Sequence, residues 1–237
     1  ISQFIAPLFE NLSIPTLIVI ERAAWWIHIL GILVFLNYLY YSKHLHILLA
    51  FPNTYFARLK PQGQFDNLEA VTNEVKLMMD PEADPYAMPE EGAEDEVPAK
   101  FGASEATDLS WAQLLNAYTC TECGRCTSEC PANQTGKELS PRKIMMDTRD
   151  RIEEIGRLKE NNTNYLLGNY ISKEELWACT TCNACTDACP INLDPLSIIV
   201  DLRRYLVMEE SAAPTELNNM FSNVENNGAP WQFPAAD

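Results

Sequence analysis

Eight cysteines fall in two short clusters. Cys120, Cys123, Cys126 and Cys130, followed by Pro131, spell C-x2-C-x2-C-x3-C-P; Cys179, Cys182, Cys185 and Cys189, followed by Pro190, repeat the pattern 59 residues on. Three thiolates at two-residue gaps can wrap one face of an iron-sulfur cube. The fourth, followed by proline, is directed away and ligates the other cluster where two clusters share a chain. The spacing therefore predicts crossed ligation. Cys120, Cys123, Cys126 and Cys189 would hold one [4Fe-4S] cluster, and Cys179, Cys182, Cys185 and Cys130 the other. Structural zinc is the competing chemistry, since four thiolates also suit a tetrahedral ion. Zinc ribbons, however, use paired C-x2-C knuckles and need neither the third cysteine at the same gap nor the terminal Cys-Pro. Small or hydroxyl residues between the ligands (Thr121, Gly124, Thr127, Thr180, Ala184, Thr186) let backbone N–H groups approach the negatively charged sulfurs.

The three histidines, His28, His44 and His46, lie in or beside one apolar run. In a helix continuing to Phe51, His28 and His46 would share a face, ~27 Å apart along the axis, with His44 pointing elsewhere. Two imidazoles so placed suit axial ligation of two stacked b-type haems whose opposite ligands sit on another helix. The alternative is that His44 and His46 are interfacial and His28 hydrogen-bonds within a bundle; a single haem on His44 or His46 is a third arrangement.

The apolar run itself, Ala23 to Tyr41, is 19 residues without a formal charge. As a helix it covers ~28 Å, close to a hydrocarbon core of ~30 Å. Trp25 and Trp26 at one end and Tyr38, Tyr40 and Tyr41 at the other suit the two interfaces. Lys43, Arg58 and Lys60 follow the span, against Arg22 alone before it, so the positive-inside bias puts the following region in the cytoplasm. Residues 1–22 read as a non-cytoplasmic loop or interfacial piece, 23–51 as the membrane helix, and 52–107 as a linker. Asp80 to Ala99 within that linker carries eight acidic residues, four prolines and no base. Ser110, Ser140-Pro141, Ser172 with Glu175, and Asp194-Pro195 are helix starts. They make 108–210 an all-helical domain that carries both cysteine motifs, with 211–237 an extended tail. Six bases between Arg142 and Lys159 either offset cluster charge or form a solvated helix face. The formal charge of −16 argues against nucleic-acid binding through phosphates. The chain opens on Ile1 instead of Met, without the order of a signal peptide, and reads as a piece of a longer protein.

An apolar helix ending in SKHLH (Ser42 to His46), followed by the twin cysteine motifs, resembles the membrane-bound, heterodisulfide-reductase-related iron-sulfur proteins. That group includes the bacterial electron-transfer-flavoprotein:menaquinone oxidoreductases. The likeness runs from about Ala23 to Trp231. The cysteine motifs are shared with glycolate oxidase and succinate dehydrogenase iron-sulfur subunits; SKHLH narrows the choice. The resemblance implies a mainly α chain: a nitrate-reductase-gamma-like haem b helix, then an α-helical ferredoxin domain with two [4Fe-4S] clusters. It also implies a place in the bacterial inner (cytoplasmic) membrane, with the ferredoxin domain on the cytoplasmic side. In the gamma-like bundle the last helix gives one ligand to each of two haems, a role His28 and His46 match by spacing, with other membrane helices supplying the opposite ligands. The implied function is a respiratory-chain electron-transfer subunit between a cytoplasmic flavoprotein or dithiol partner, the clusters, haem b and menaquinone, with no acid, base or nucleophile needed in this segment. A heterodisulfide-type reductase and a 2-hydroxy-acid dehydrogenase iron-sulfur subunit are the alternatives. Family members usually carry earlier membrane helices and two later CCG modules; no cysteine follows Cys189 here.

Overall fold

A computed structural model of the protein describes residues 2–80, 100–159 and 163–232. The acidic stretch expected as a linker lies, apart from Asp80, outside these residues. The described residues are helical with no strand, as expected of a mainly α chain, and the chain divides into two units, Ile1–Leu48 and Leu49–Asp237.

The first unit is dominated by α1, Ile14–Leu39, which begins after the extended Ser13 with Pro15 in its first turn. Proline suits that place because the N–H it lacks would be unpaired there anyway. At about 39 Å, α1 is long enough and apolar enough to cross a bilayer. It starts nine residues before the expected span and takes Glu21 and Arg22 into the helix; among the described residues a short helix at Ser2–Ile5 and a 3-10 turn at Ala6–Leu8 come before it. The expected continuation to Phe51 does not occur. Ser42 adopts extended angles and its hydroxyl accepts from the His44 N–H, starting a new turn at Lys43–Leu45, and α2, His46–Tyr55, follows. A serine that captures its own downstream N–H competes with helix continuation. His28 and His46 therefore stand on different helices, and the shared-face argument for them fails.

In the second unit, residues expected to be linker include α3, Glu69–Met79. The domain helices are α4 (Trp111–Thr119), α5 (Pro141–Leu158), α6 (Lys173–Ala178) and α7 (Pro195–Met208). The anticipated caps are present: Ser110 and Ser172 form reciprocal boxes with Gln113 and Glu175, Ser140 accepts from Lys143 N–H, and Asp194 from Ser197 N–H. Each such cap contributes about 1 kcal/mol. α4 and α7 pack on α5. Ile144, Met145 and Thr148 of α5 meet Ile198, Ile199, Leu202 and Leu206 of α7 in a core where all seven are essentially inaccessible. Burying each large aliphatic chain is worth about 2 kcal/mol. The tail expected to be extended instead forms α8, Thr215–Asn227, closed by Gly228 in the left-handed region. Leu217, Met220, Phe221 and Val224 recur at helical spacing, a signal masked by the surrounding Asn, Pro and Ala.

Candidate metal centre

The two cysteine motifs are built alike. Cys120 closes α4 and Cys179 closes α6 with nearly the same backbone angles, φ −63°, ψ 124° and φ −70°, ψ 127°. Left-handed residues follow at matching places: Glu122 and Gly124 in the first loop, Thr181 and Asn183 in the second, all with φ between 56° and 83°. Short helices Arg125–Ser128 and Ala184–Asp187 then carry Cys126 and Cys185. Left-handed turns point successive N–H groups inward, forming a concavity that suits anionic sulfur. Accordingly, the N–H of Thr181 donates to Cys179 Sγ at 3.4 Å, and that of Glu122 supports Cys120. Thr127 and Thr186 support Cys126 and Cys185 through both N–H and hydroxyl, while Ala184 N–H and the Thr180 hydroxyl support Cys182. Five of the six donor residues, Thr127, Thr180, Thr181, Ala184 and Thr186, are small or carry a hydroxyl; Glu122 shows that a left-handed turn serves as well.

The thiols gather across the motifs. Cys120 is pushed above its ordinary value first by burial, then by the nearby sulfurs of Cys126, Cys189 and Cys123. Cys126 is raised by burial and by Cys123 and Cys189. Cys179 is raised by burial and, among charges, by Cys130 and Cys182, against the pull of Arg203. Cys185 is pushed up to about 12, chiefly by burial, with Cys179 and Asp194 adding to it. Cys120 and Cys126 of the first motif are thus within electrostatic reach of Cys189, and Cys179 of the second motif is within reach of Cys130. Cys182 alone is lowered, mainly by the Ala184 N–H. Thiols raised in this way are protonated in the metal-free chain, so ligation must release their protons. Among the described residues, no three His, Cys, Asp or Glu side chains converge as they must on a single ion. A cube gives every thiolate its own iron and so holds its ligands farther apart than one tetrahedral ion does. The donor set, its inward N–H groups and its crossed neighbourhoods fit two such cubes.

Supporting contacts come from residues with no motif to mark them. Arg203, on α7, donates from Nε to Leu176 O at 3.0 Å and from Nη2 to Cys179 O at 2.6 Å, and stacks over Trp177 at 4.9 Å. It caps α6 and sets a positive charge beside the second loop. Asn116 accepts from the Asp194 N–H at 2.8 Å, and Thr127 and Ser140 share a hydroxyl contact at 2.8 Å. The bases of α5 are largely paired: Lys143 with Asp147 and Glu175, Arg149 with Glu122 and Asp150, Arg151 with Glu105 and Glu154. Arg149 thereby holds the first loop at Glu122, whereas Arg142 and Arg157 have no ion pair among the described residues.

Of the histidines, His46 Nδ1 lies 2.7 Å from the Lys43 carbonyl. A carbonyl only accepts, so Nδ1 is the donor in this contact, and in the neutral ring Nε2 is then the nitrogen open to a metal. His44 Nδ1 is 3.4 Å from Ser42 Oγ, its ring lies 6.5 Å from that of His46, and His28 is exposed on α1.

Residues 119–193 match the model of a 4Fe-4S dicluster domain. The chain is 31% identical to a probable iron-sulfur-binding oxidoreductase, FadF, of Bacillus subtilis, over 90% of this chain and 32% of the relative. It is 28% identical to an EtfAB:quinone oxidoreductase of Syntrophomonas wolfei, over 95% of this chain and 32% of the relative. One subunit of the ferredoxin/F(420)H(2)-dependent CoB-CoM heterodisulfide reductase of Methanosarcina acetivorans is 33% identical over 47% of this chain and 60% of the relative. The chain thus spans about a third of the length of the first two. With its 4Fe-4S dicluster domain, it is an iron-sulfur electron-transfer protein related to the EtfAB:quinone oxidoreductases and to the iron-sulfur subunits of heterodisulfide reductases.

Proposed function

We infer that this chain is the membrane-bound wiring segment of a quinone-linked oxidoreductase, between a cytoplasmic flavoprotein or dithiol partner and menaquinone. The observation that carries the reading is the pair of matched cysteine loops within the 4Fe-4S dicluster match, and the electrostatic reach of Cys189 to Cys120 and Cys126, and of Cys130 to Cys179, supports crossed ligation. Clusters bound there supply one-electron transfer. The chain's own residues hold them: Cys120, Cys123, Cys126 and Cys189 ligate one, and Cys179, Cys182, Cys185 and Cys130 the other. Backbone N–H groups of the left-handed turns stabilise the sulfur charge, and α4, α5 and α7 keep the loops apart from solvent on their inner side.

The finer part of the reading is haem b ligated by His46 and His28, with His44 as the lesser candidate and opposite ligands on partner helices. His46 supports it best, because a metal-binding imidazole ordinarily donates its other N–H to a carbonyl, as Nδ1 does to Lys43. His28 stands on its own helix and ligates, in this reading, a second haem. The length and apolar character of α1 support insertion in the bacterial cytoplasmic membrane, and Lys43, Arg58 and Lys60 favour a cytoplasmic dicluster domain. The test is an optical difference spectrum of the intact membrane complex before and after anaerobic menaquinol. Reduction of a b-type α-band together with bleaching of the iron-sulfur absorbance is expected. Bleaching with no haem band would reduce the histidines to interfacial residues, and no bleaching would refute the quinone link.

A further inference from the structure

Residues 49–66, in the same unit as the cysteine loops, cross the chain that follows Cys189. Asn53 Nδ2 donates to Ile191 O at 2.9 Å, Phe56 meets Trp111 edge-on at 4.9 Å, Arg58 lies 3.7 Å from Asp194, and Gln62 donates to Asp187 at 3.4 Å. Three of these four contacts fall within five residues of Cys189. Asn53 is the deepest of the set, at 2% exposure, and its Oδ1 is buried with no hydrogen-bond partner among the described residues. Turning the amide over would set Oδ1 against the Ile191 carbonyl, two acceptors face to face, so the donor assignment is fixed. A buried acceptor without a donor is costly, and a leucine of similar size would avoid that cost. The asparagine is therefore explained by what it gives, a hydrogen bond to the second residue after Cys189. Pro190 between them has a fixed φ, so holding Ile191 holds the direction of the Cys189 thiol.

We propose that Asn53, on the strap of residues 49–66, is a positioning residue for Cys189, so that its hydrogen bond to Ile191 governs the cluster served by Cys120, Cys123, Cys126 and Cys189 and not the other. This rests on the crossed ligation inferred above. The test uses the full chain purified with its clusters under anaerobic conditions, following iron release to a chelator alongside EPR of the reduced protein. Asn53→Leu should release about four of about eight irons several-fold faster than the parent, with the remainder unchanged. The EPR signal lost early should be the one that Cys189→Ser also removes. Thr54→Val, whose hydroxyl bonds to Ala50 O on the same helix and to no other described residue, should release iron as the parent does. Asn53→Ala, which also removes the bond to Ile191, should show the same selectivity, and it decides the matter if the leucine variant does not accumulate. Uniform acceleration of all the iron, no acceleration, or early loss of the signal that survives in Cys189→Ser would overturn the proposal. The ligation is checked separately: if Cys126→Ser and Cys189→Ser remove different signals, crossing fails, while the Asn53 claim is still judged on whichever signal depends on Cys189.

Discussion

Replacing Gly102 by alanine drives a methyl group into the backbone of α7. Gly102 has φ +76°, and a Cβ built on it would meet the Asp201 carbonyl oxygen, lie 2.6 Å from Tyr205 N and 2.8 Å from Arg204 Cβ. Two of these three atoms are main chain in a buried helix and cannot turn aside. The segment must instead withdraw, breaking the Ala103 N–H to Asp201 O bond at 3.0 Å and pulling on the Phe101 N–H to Glu209 bond at 2.8 Å. The left-handed angle costs alanine about 1–2 kcal/mol, and a lost hydrogen bond that strands a buried partner costs about 1–3 kcal/mol. A total of about 2–5 kcal/mol follows from the two effects together. With a urea dependence of about 2 kcal/mol per molar, the unfolding midpoint of the cluster-loaded protein should fall by about 1–2.5 M. Gly136→Ala is the control, because Gly136 has φ +81° but nothing within 4 Å of its would-be Cβ. It should show the conformational part alone, about 0.5–1 M. Equal shifts in the two variants would refute the close-approach argument.

Truncating Leu202, fully buried on α7 in the core it shares with α5, to alanine should cost about 2–5 kcal/mol in urea unfolding; a loss under about 1 kcal/mol would contradict the packing described. Asp108 sits below its ordinary 3.8: burial pushes it up, but hydrogen bonds from Lys100 and from the N–H groups of Ser104 and Glu105 outweigh it. A carboxylate depressed on folding adds stability above its unfolded pKa, and that contribution disappears as pH falls through the lower folded value. Asp108→Asn should therefore be less stable than the parent at neutral pH and lose less than the parent on acidification below 3.8. Parallel curves for the two proteins on the acid side would refute this assignment.

Local chemistry is what the sequence makes legible. Ser110, Ser140, Ser172 and Asp194 announce helix starts because a short polar side chain captures an N–H within three residues, and all four do so. The cysteine spacing is likewise local, and its repetition foreshadows the matched loops. Long-range contacts leave no such trace. Asn53 and Arg203 meet the cysteine loops across 138 and 24–27 positions, and neither belongs to a recognisable pattern. At Ser42 the local signal is present but is outweighed by the apolar run around it, which hides the break before α2 and with it the separation of His28 from His46. α3 and α8 are hidden in the same way, because flanking acidic or Asn- and Pro-rich composition obscures a short helical period.

Cys130→Ser puts crossed ligation to a decisive trial. Cys130 belongs by sequence to the first motif, yet it is within electrostatic reach of Cys179 of the second. EPR of the reduced, anaerobically purified variant should show the signal that depends on Cys182 damaged and the signal that depends on Cys123 intact, with iron falling from about eight toward about four per chain. Loss of the Cys123-dependent signal with the Cys182-dependent one preserved would mean that each motif ligates its own cluster and that the wiring does not cross.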